Sequence, residues 1–201
     1  MTILRVGVLA LQGDVREHLT ALRDCGAEAA SVRTPAELES VDALVLPGGE
    51  STTMSRLLQV FDLEMPLRER LAGGMPTLST CAGLILMSRE VLDGRPDQIA
   101  LGVLDISVRR NGYGRQVESF EADIPVALLG VAPFRAIFIR APRIEHAGPD
   151  AEVVASFGGN PVAIAQGPHL GLCFHPEMTD DPRLHQLFLE RAAAALEVSA
   201  A

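Results

Sequence analysis

Residues 75–86, MPTLSTCAGLIL, pass from a strand-like apolar run into a helix-like one, with Cys81 between small residues at the junction. A sharp strand-to-helix turn holds one side chain out of a sheet and aims backbone N–H groups at it. The start of a helix also favours a thiolate over a thiol. Cys81 is therefore a candidate nucleophile. The commoner fate of a free cysteine is burial as a small apolar residue, and we assign Cys25 and Cys173 to that role.

Strand-like and helix-like segments alternate around this junction, which predicts one α/β domain over residues 1–201. Its sheet should be mostly parallel and open, with helices on both faces. The apolar runs predicted as strands are 3–11, 29–32, 41–46, 75–80, 134–142, 151–157, 161–167 and 170–174. A helix is predicted through Cys25, with Asp14 as its cap. Further helices are predicted after Pro35, over 51–60, from Pro66 and from about Pro182 to Ala195. Between Leu101 and Ala122 the alternation indicates an antiparallel insertion around the turn NGYG.

Composition and charge exclude several classes of protein. The 201 residues are 48% hydrophobic and 21% charged, as in an ordinary globular chain. A net charge of -9, with 17 basic against 26 acidic residues, argues against nucleic acid as a partner. No apolar run approaches the roughly 20 residues of a membrane span. Three cysteines without a close pair fit a reducing compartment, so we expect a cytoplasmic protein. The sequence contains no C-x-x-C motif, so we do not expect a zinc site.

Four loops place polar or glycine residues just after predicted strands. They are Gln12-Gly13, PGGEST at 47–52, TCAG at 80–83 and HPEM at 175–178. In open parallel sheets, functional sites lie beyond the carboxyl ends of the strands. The sequence therefore predicts that these four loops meet at one site.

The FHPE segment supplies a candidate base. His175 and Glu177 are two residues apart, so in an extended segment their side chains point to the same side. A histidine can deprotonate a thiol and later protonate a leaving amine, while a carboxylate fixes its tautomer. For H-x-E alone, a strand end with a solvated glutamate is the more common situation. The remaining histidines, which we assign to the surface or to packing, are His18, His146, His169 and His185.

The LPGGEST turn has two compatible interpretations. No lysine follows it, so it is not a phosphate-binding P-loop, and Glu50 would repel a phosphate. The backbone N–H of Gly49, paired with that of Ala82, would make an oxyanion hole. The turn can also be structural, with Ser51 capping the following helix.

These elements together resemble the class I (triad) glutamine amidotransferases, and more closely the glutaminase subunits of pyridoxal 5′-phosphate synthases. The likeness runs nearly end to end. It rests on GVLALQGDVREH (7–18), LPGGESTTM (46–54), TCAGLIL (80–86), RNGYGRQVESFEA (110–122), FIRAP (138–142) and FHPEMTDD (174–181). The cysteine and H-x-E elements are common to triad amidotransferases, whereas LQGDVREH, GRQVESFEA and FIRAP are specific to the pyridoxal branch.

The resemblance implies a flavodoxin-like fold and a role for each matching residue. Cys81 matches the nucleophile, His175 the base and later acid, and Glu177 its orienting partner. The positions that match glutamine-binding residues are Gly49, Glu50, Ser51, Arg110, Ile139 and Arg140. An arginine suits the α-carboxylate of free glutamine, and Arg109 and Arg115 are charged alternatives to Arg110. Two positions depart from the family pattern: Ser79 replaces a usual glycine, and Tyr113 a usual phenylalanine.

The implied activity is hydrolysis of L-glutamine to glutamate and ammonia, with the ammonia passed to a synthase subunit. The resemblance implies a (β/α)₈ barrel for that partner and neither a metal nor a bound cofactor for this chain. Three alternatives stay open: an amidotransferase that serves another pathway, a cysteine peptidase or hydrolase of related fold, and a non-catalytic subunit. GRQVESFEA argues against the first, an arginine for the α-carboxylate against the second, and the complete triad against the third.

Overall fold

The computed structural model of the chain describes residues 3–112 and 119–199. The strands of this part are β1 (Arg5–Leu9), β2 (Glu28–Val32), β3 (Ala43–Leu46), β4 (Thr77–Thr80), β5 (Ser88–Val91), β6 (Leu104–Arg109), β7 (Phe120–Ile124), β8 (Phe134–Phe138), β9 (Arg143–Ala147), β10 (Glu152–Phe157), β11 (Asn160–Gln166) and β12 (His169–Leu172). The α-helices are α1 (Val15–Asp24), α2 (Pro35–Glu39), α3 (Ser51–Val60), α4 (Glu64–Ala72), α5 (Ala82–Met87) and α6 (Arg183–Ser199). None of these helices is long and apolar enough to cross a bilayer.

A seven-stranded sheet forms the centre of the molecule, in the order β10-β11-β12-β4-β3-β1-β2. The five strands from β12 to β2 are parallel, and β10 and β11 extend the sheet in antiparallel fashion. Taken along the chain, the parallel strands have the 2-1-3-4-5 order of flavodoxin-like folds. The predicted α/β class with a mostly parallel open sheet is confirmed.

The helices cover this sheet as right-handed crossovers require. The chain leaves β1 toward β2 on one side and returns to β3 on the other side of β1. Right-handed connections then place α1 on one face and the helices after β2 on the opposite face. Accordingly, α1 packs against α6, whereas α2 packs against α4 and α3 against α5. The strand order reverses between β1 and β3, and open α/β sheets bind ligands at such a reversal.

The central strands are buried along their whole length because helices cover both faces of the sheet. Every residue of β3, β4 and β12 is buried, and β1 is buried from Val6 onward. Such strands appear in the sequence as continuous apolar runs rather than alternating ones. The rigid core therefore ends, at its carboxyl edge, in the loops that carry the predicted site.

The insertion differs from the prediction. Its two strands exist, but β6 pairs with β5 and β9, and β7 pairs with β8. They lie in separate sheets, so the expected antiparallel pair around NGYG is wrong. Alternation indicates that a segment is a strand with one buried face, but it does not identify the partner strand. Residues 113–118, with Tyr113 and Arg115, lie outside the described part.

Candidate active site

The four predicted loops meet at the carboxyl edge of the sheet, around a cavity of about 280 Å³. Eight of the predicted site residues line it: Gly49, Glu50, Ser51, Cys81, Arg110, Ile139, Arg140 and His175. Glu177 lies behind His175, and Ala82 is the first residue of α5. The fold thus brings together residues that are far apart in sequence.

Cys81 occupies a strained turn between β4 and α5. Its backbone has φ 48° and ψ −103°, a left-handed conformation that is costly for a residue other than glycine. The strand ladder holds the turn, because Cys81 N donates to Leu172 O at 2.9 Å. Gly83 allows α5 to approach β3, since a Cβ there would lie 2.0 Å from Leu46 O. The side chain is only 6% exposed, and its Sγ lies 3.8 Å from Ile139 O.

His175 and Glu177 form a buried pair on the far side of the cavity. Nδ1 of the imidazole lies 2.7 Å from Oε1 of Glu177, in a short turn that begins at Pro176. Burial disfavours the imidazolium, but the acceptors Asp14, Cys81 and Glu177 outweigh burial and raise the pKa of His175 to about 12. The other ring nitrogen, Nε2, is buried and makes no well-formed hydrogen bond with any described residue. This nitrogen remains available to the Cys81 sulfur and to a substrate.

Asp14 is a member of the site that the sequence analysis missed. We expected it to cap α1, but its side chain makes no capping bond. Instead Oδ2 lies 3.3 Å from Nδ1 of His175, and the residue lines the cavity. Two carboxylates therefore flank the same imidazole nitrogen. Its position directly after Gln12-Gly13, in one of the four loops, was the signal that could have revealed it.

The loop after β3 is organised by Glu50 rather than by Ser51. The Glu50 carboxylate accepts from Thr53 N at 2.7 Å and caps α3, so the suggestion that Ser51 is the cap is wrong. A serine cap would need to precede the first helical residue, whereas Ser51 is that residue and donates to Gln98 Oε1 at 3.1 Å. On the other side, Gln12 Oε1 accepts from Glu50 N at 2.6 Å. Gln12 and Gln98 thus fix the loop from two directions.

The candidate arginines differ in whether they line the cavity. Arg110 lines the cavity, and its Nη2 donates to Glu50 Oε1 at 3.0 Å. Arg109 is exposed and pairs with Glu145 at 2.9 Å, outside the cavity. The third candidate, Arg115, lies outside the described residues. Arg140 lines the cavity with φ 43°, a left-handed conformation that Cys81 and Asn111 of the cavity lining also adopt.

Ser79, the departure from the family pattern, fits its strand without visible distortion. It lies fully buried in β4, opposite Gly171 of β12. Its hydroxyl donates to Leu170 O at 3.3 Å, so the buried oxygen is satisfied.

The other two cysteines, Cys25 and Cys173, do not line the cavity. Burial raises the pKa of the Cys173 thiol, which is fully enclosed, and also that of Cys25.

Within the described residues, one group has ligand atoms near enough for a metal ion: Asp14, His175 and Glu177, within 4.8 Å of one another. Its imidazole nitrogen already lies at hydrogen-bond distance from the Glu177 carboxylate, the arrangement of a proton-transfer triad rather than a metal site.

Comparisons with known proteins identify the family of the chain. Residues 8–194 match the family described as "SNO glutamine amidotransferase family". A curated "Pyridoxal 5′-phosphate synthase subunit PdxT" from Mycobacteroides abscessus is 58% identical over 189 residues, which cover 94% of this chain and 97% of the relative. One of the same description from Acidothermus cellulolyticus is 57% identical, with 96% of each chain covered.

Solved structures extend the comparison to the fold. One described as "Crystal structure of glutamine amidotransferase" superposes with a TM-score of 0.87 at 49% identity, covering 94% of this chain and 98% of the other. A glutamine amidotransferase from Thermotoga maritima has a TM-score of 0.63 at 18% identity, covering 98% of this chain and 94% of the other. At that identity the second likeness concerns the fold alone.

Proposed function

The chain belongs to the SNO glutamine amidotransferase family, and from that membership we propose that Cys81, His175 and Glu177 are the triad with which it hydrolyses L-glutamine. The observation that carries the proposal is the orientation of His175. Its Nδ1 lies 2.7 Å from Glu177 Oε1, its Nε2 makes no well-formed hydrogen bond with a described residue, and His175 and Cys81 line the same cavity. That is the arrangement a base needs to activate a cysteine.

In the proposed reaction, the Cys81 thiolate attacks the side-chain carbonyl carbon of glutamine. The backbone N–H groups of Gly49 and Ala82 stabilise the oxyanion. The His175 imidazolium then gives its Nε2 proton to the departing nitrogen, which leaves as ammonia and a γ-glutamyl thioester on Cys81. His175 next takes a proton from water, whose oxygen attacks the thioester and expels the Cys81 thiolate. The product acid loses its proton to solvent and leaves as glutamate, which restores the thiolate and the imidazolium.

The ammonia serves the synthesis of pyridoxal 5′-phosphate, since the chain matches subunits of that synthase over nearly its full length. Ammonia in water at pH 7 is mostly ammonium, a poor nucleophile, so direct transfer to a synthase subunit preserves its reactivity. We propose a (β/α)₈ barrel for that subunit, as the family resemblance implies. The protein itself needs no resident cofactor under this proposal.

We predict that the chain alone is a weak glutaminase until the synthase subunit binds. The loop that would supply the Gly49 N–H has φ 154° at that glycine, and glycine reorients at low cost. A partner that fixes this loop would complete the oxyanion hole. Glutamate release should be measured for the purified chain with and without the synthase subunit. Full activity of the chain alone, unchanged by the added subunit, would contradict this prediction.

We predict that Arg110→Ala raises KM for glutamine by roughly tenfold to a hundredfold, the usual cost of a charge-assisted hydrogen bond. Arg110 lines the cavity and pairs with Glu50, and from this position it can bind the α-carboxylate of glutamine. The matched control is Arg109→Ala, the neighbouring arginine that pairs outside the cavity. Steady-state kinetics of both variants decide the assignment. An equal rise in KM for both would assign the effect to general charge rather than to substrate binding.

A further inference from the structure

Behind the proposed triad lies a second set of buried polar side chains that the reaction described above does not use. His18 of α1 is completely buried and lines neither the substrate cavity nor its rim. Its Nε2 is 3.3 Å from Glu177 Oε2 and 3.3 Å from Thr80 Oγ1, and its Nδ1 is 3.1 Å from His185 Nε2. The sequence analysis assigned His18 to packing, but it contacts the triad carboxylate directly.

The contacts of His18 with His185 and Thr80 are hydrogen bonds whose direction follows from the tautomer of His18, and Glu177 Oε2 lies beside them at 3.3 Å from Nε2. Burial, with His185 and His175 nearby, lowers the pKa of His18 well below its usual value, so its ring is neutral and carries one N–H. Burial also lowers the pKa of His185, to about 4. When Nε2 of His185 donates to Nδ1 of His18, the single proton of His18 must be on Nε2. That proton then lies between Thr80 Oγ1, its hydrogen-bond partner, and Glu177 Oε2, each of which is 3.3 Å from Nε2.

We propose that His18 is a positioning residue of the reaction, whose Nε2–H holds Oε2 of Glu177 while the other carboxylate oxygen holds His175. This inference rests on the proposed triad. Oε1 of Glu177 lies 2.7 Å from His175, whereas the buried Oε2 makes no well-formed hydrogen bond within the described residues and has His18 Nε2 3.3 Å away. With both oxygens held, the carboxylate cannot rotate away from the imidazole. Thr80, directly before the nucleophile, connects His18 to the turn at Cys81 as well.

The expected consequence concerns the charge of Glu177. Burial raises the pKa of this carboxyl group, while the hydrogen bond from His175 opposes the rise. An N–H at Oε2 stabilises the ionised form more than the neutral one, so losing it raises the pKa of Glu177 further. A neutral Glu177 no longer stabilises the His175 imidazolium. The acid side of the activity profile should therefore move to higher pH when the His18 donor is lost.

The other charged groups near Glu177 are the same in every variant, so they do not account for a difference between the variants in the pKa of Glu177. Asp14 and His175 face it from the cavity side, and Asp14 adds to the rise in its pKa. On the opposite side, Glu177 borders a surface cleft. The charged or titratable residues of that cleft are Arg16, Glu17, Asp24, Asp180, Asp181 and His185.

Two polar substitutions test whether His18 acts as a hydrogen-bond donor to Glu177 or only fills space in the core. In His18→Gln, the amide nitrogen reaches the place of Nε2 and can still donate to Glu177. In His18→Asn, the shorter amide reaches only the place of Nδ1, beside His185. Both variants keep a polar group in the buried site, whereas an apolar residue would leave Glu177 Oε2, Thr80 and His185 without partners and endanger folding. Thermal melting of each variant verifies the fold.

Two readouts are compared across pH 5–10: kcat and KM for glutamine in the complex with the synthase subunit, and alkylation of Cys81 by iodoacetamide, followed by mass spectrometry. We expect His18→Asn to move the acid limb of both profiles to higher pH. Its kcat at acid pH should fall about tenfold, with KM unchanged, because one hydrogen bond to a charged group is lost. His18→Gln should overlay the wild type.

Identical profiles for the two variants, or an unmoved acid limb in His18→Asn, would overturn the inference. The alkylation profile needs no glutamine turnover, so it separates this inference from the proposed function. If the wild-type complex released no glutamate, the proposed function would fail. A shifted alkylation profile in His18→Asn alone would still support the role of His18.

Discussion

Replacing Cys81 with alanine is expected to abolish glutamate release while leaving the fold intact. In the proposed reaction the sulfur of Cys81 forms the thioester, and among the described residues of the cavity Cys81 is the one thiol. The nearby Ser51 hydroxyl cannot substitute, because it donates to Gln98 at 3.1 Å. We expect kcat to fall by roughly 10⁴-fold or more, as when other covalent nucleophiles are removed. Glutamate release by the complex measures the loss, and thermal melting verifies the fold.

The matched control is Cys25→Ala. Cys25 follows α1, does not line the cavity, and makes one long contact, from its Sγ to Pro182 O at 3.9 Å. Its loss should leave kcat and KM within about twofold of the wild type, as for a surface substitution away from special features. Measurable glutaminase activity in Cys81→Ala would contradict the assignment of the nucleophile. Equal losses in both variants would indicate a general sensitivity to thiol removal.

Much of the fold was predictable because its signals are local. The helix predicted over 51–60 has the observed bounds Ser51–Val60, since a Gly-Gly turn precedes it and its apolar residues recur with helical spacing. The gathering of four loops was predictable as well. Parallel strands must align their carboxyl ends at one edge of the sheet, so loops distant in sequence become neighbours.

The contacts that were missed depend on long-range packing. His18 meets His185 across 167 residues, and no local pattern in α1 distinguishes it from a core residue. Asp14 carries the sequence signal of a helix cap, but the fold turns its carboxylate toward His175. The strand pairing predicted for the insertion was wrong for the same reason, because β6 pairs with β9 rather than with β7. Residue type and periodicity predict the surface that a side chain faces, but not the neighbour it meets there.

The second large effect is expected from a glycine that neither binds glutamine nor takes part in the proposed chemistry. A Cβ added to Gly48 would lie 2.3 Å from Cε1 of His175, 2.9 Å from its Nδ1 and 3.0 Å from Asp14 Oδ2. Contacts this short do not persist in proteins, so an alanine must push some group aside. The groups it meets are side chains, and the imidazole is the nearer one.

We therefore predict that Gly48→Ala folds but loses about 10²-fold or more in kcat, because misplacing a catalytic group by about 1 Å has that effect. The displaced imidazole would also lose its 2.7 Å bond to Glu177, so alkylation of Cys81 should slow in parallel. Gly73→Ala is the matched control. Gly73 ends α4 with an ordinary φ of −74°, and a Cβ there meets nothing closer than 3.4 Å.

Two outcomes distinguish a displaced histidine from a damaged fold. If Gly48→Ala melts within a few degrees of the wild type and of Gly73→Ala but has lost its activity, the glycine is required by the site and not by the core. If Gly48→Ala keeps wild-type kcat, the imidazole is not held where the structure places it, and the pairing of His175 with Glu177 would have to be revised. The loop thus requires glycine at position 48 because the ring of His175, the proposed base, occupies the space that a side chain would fill.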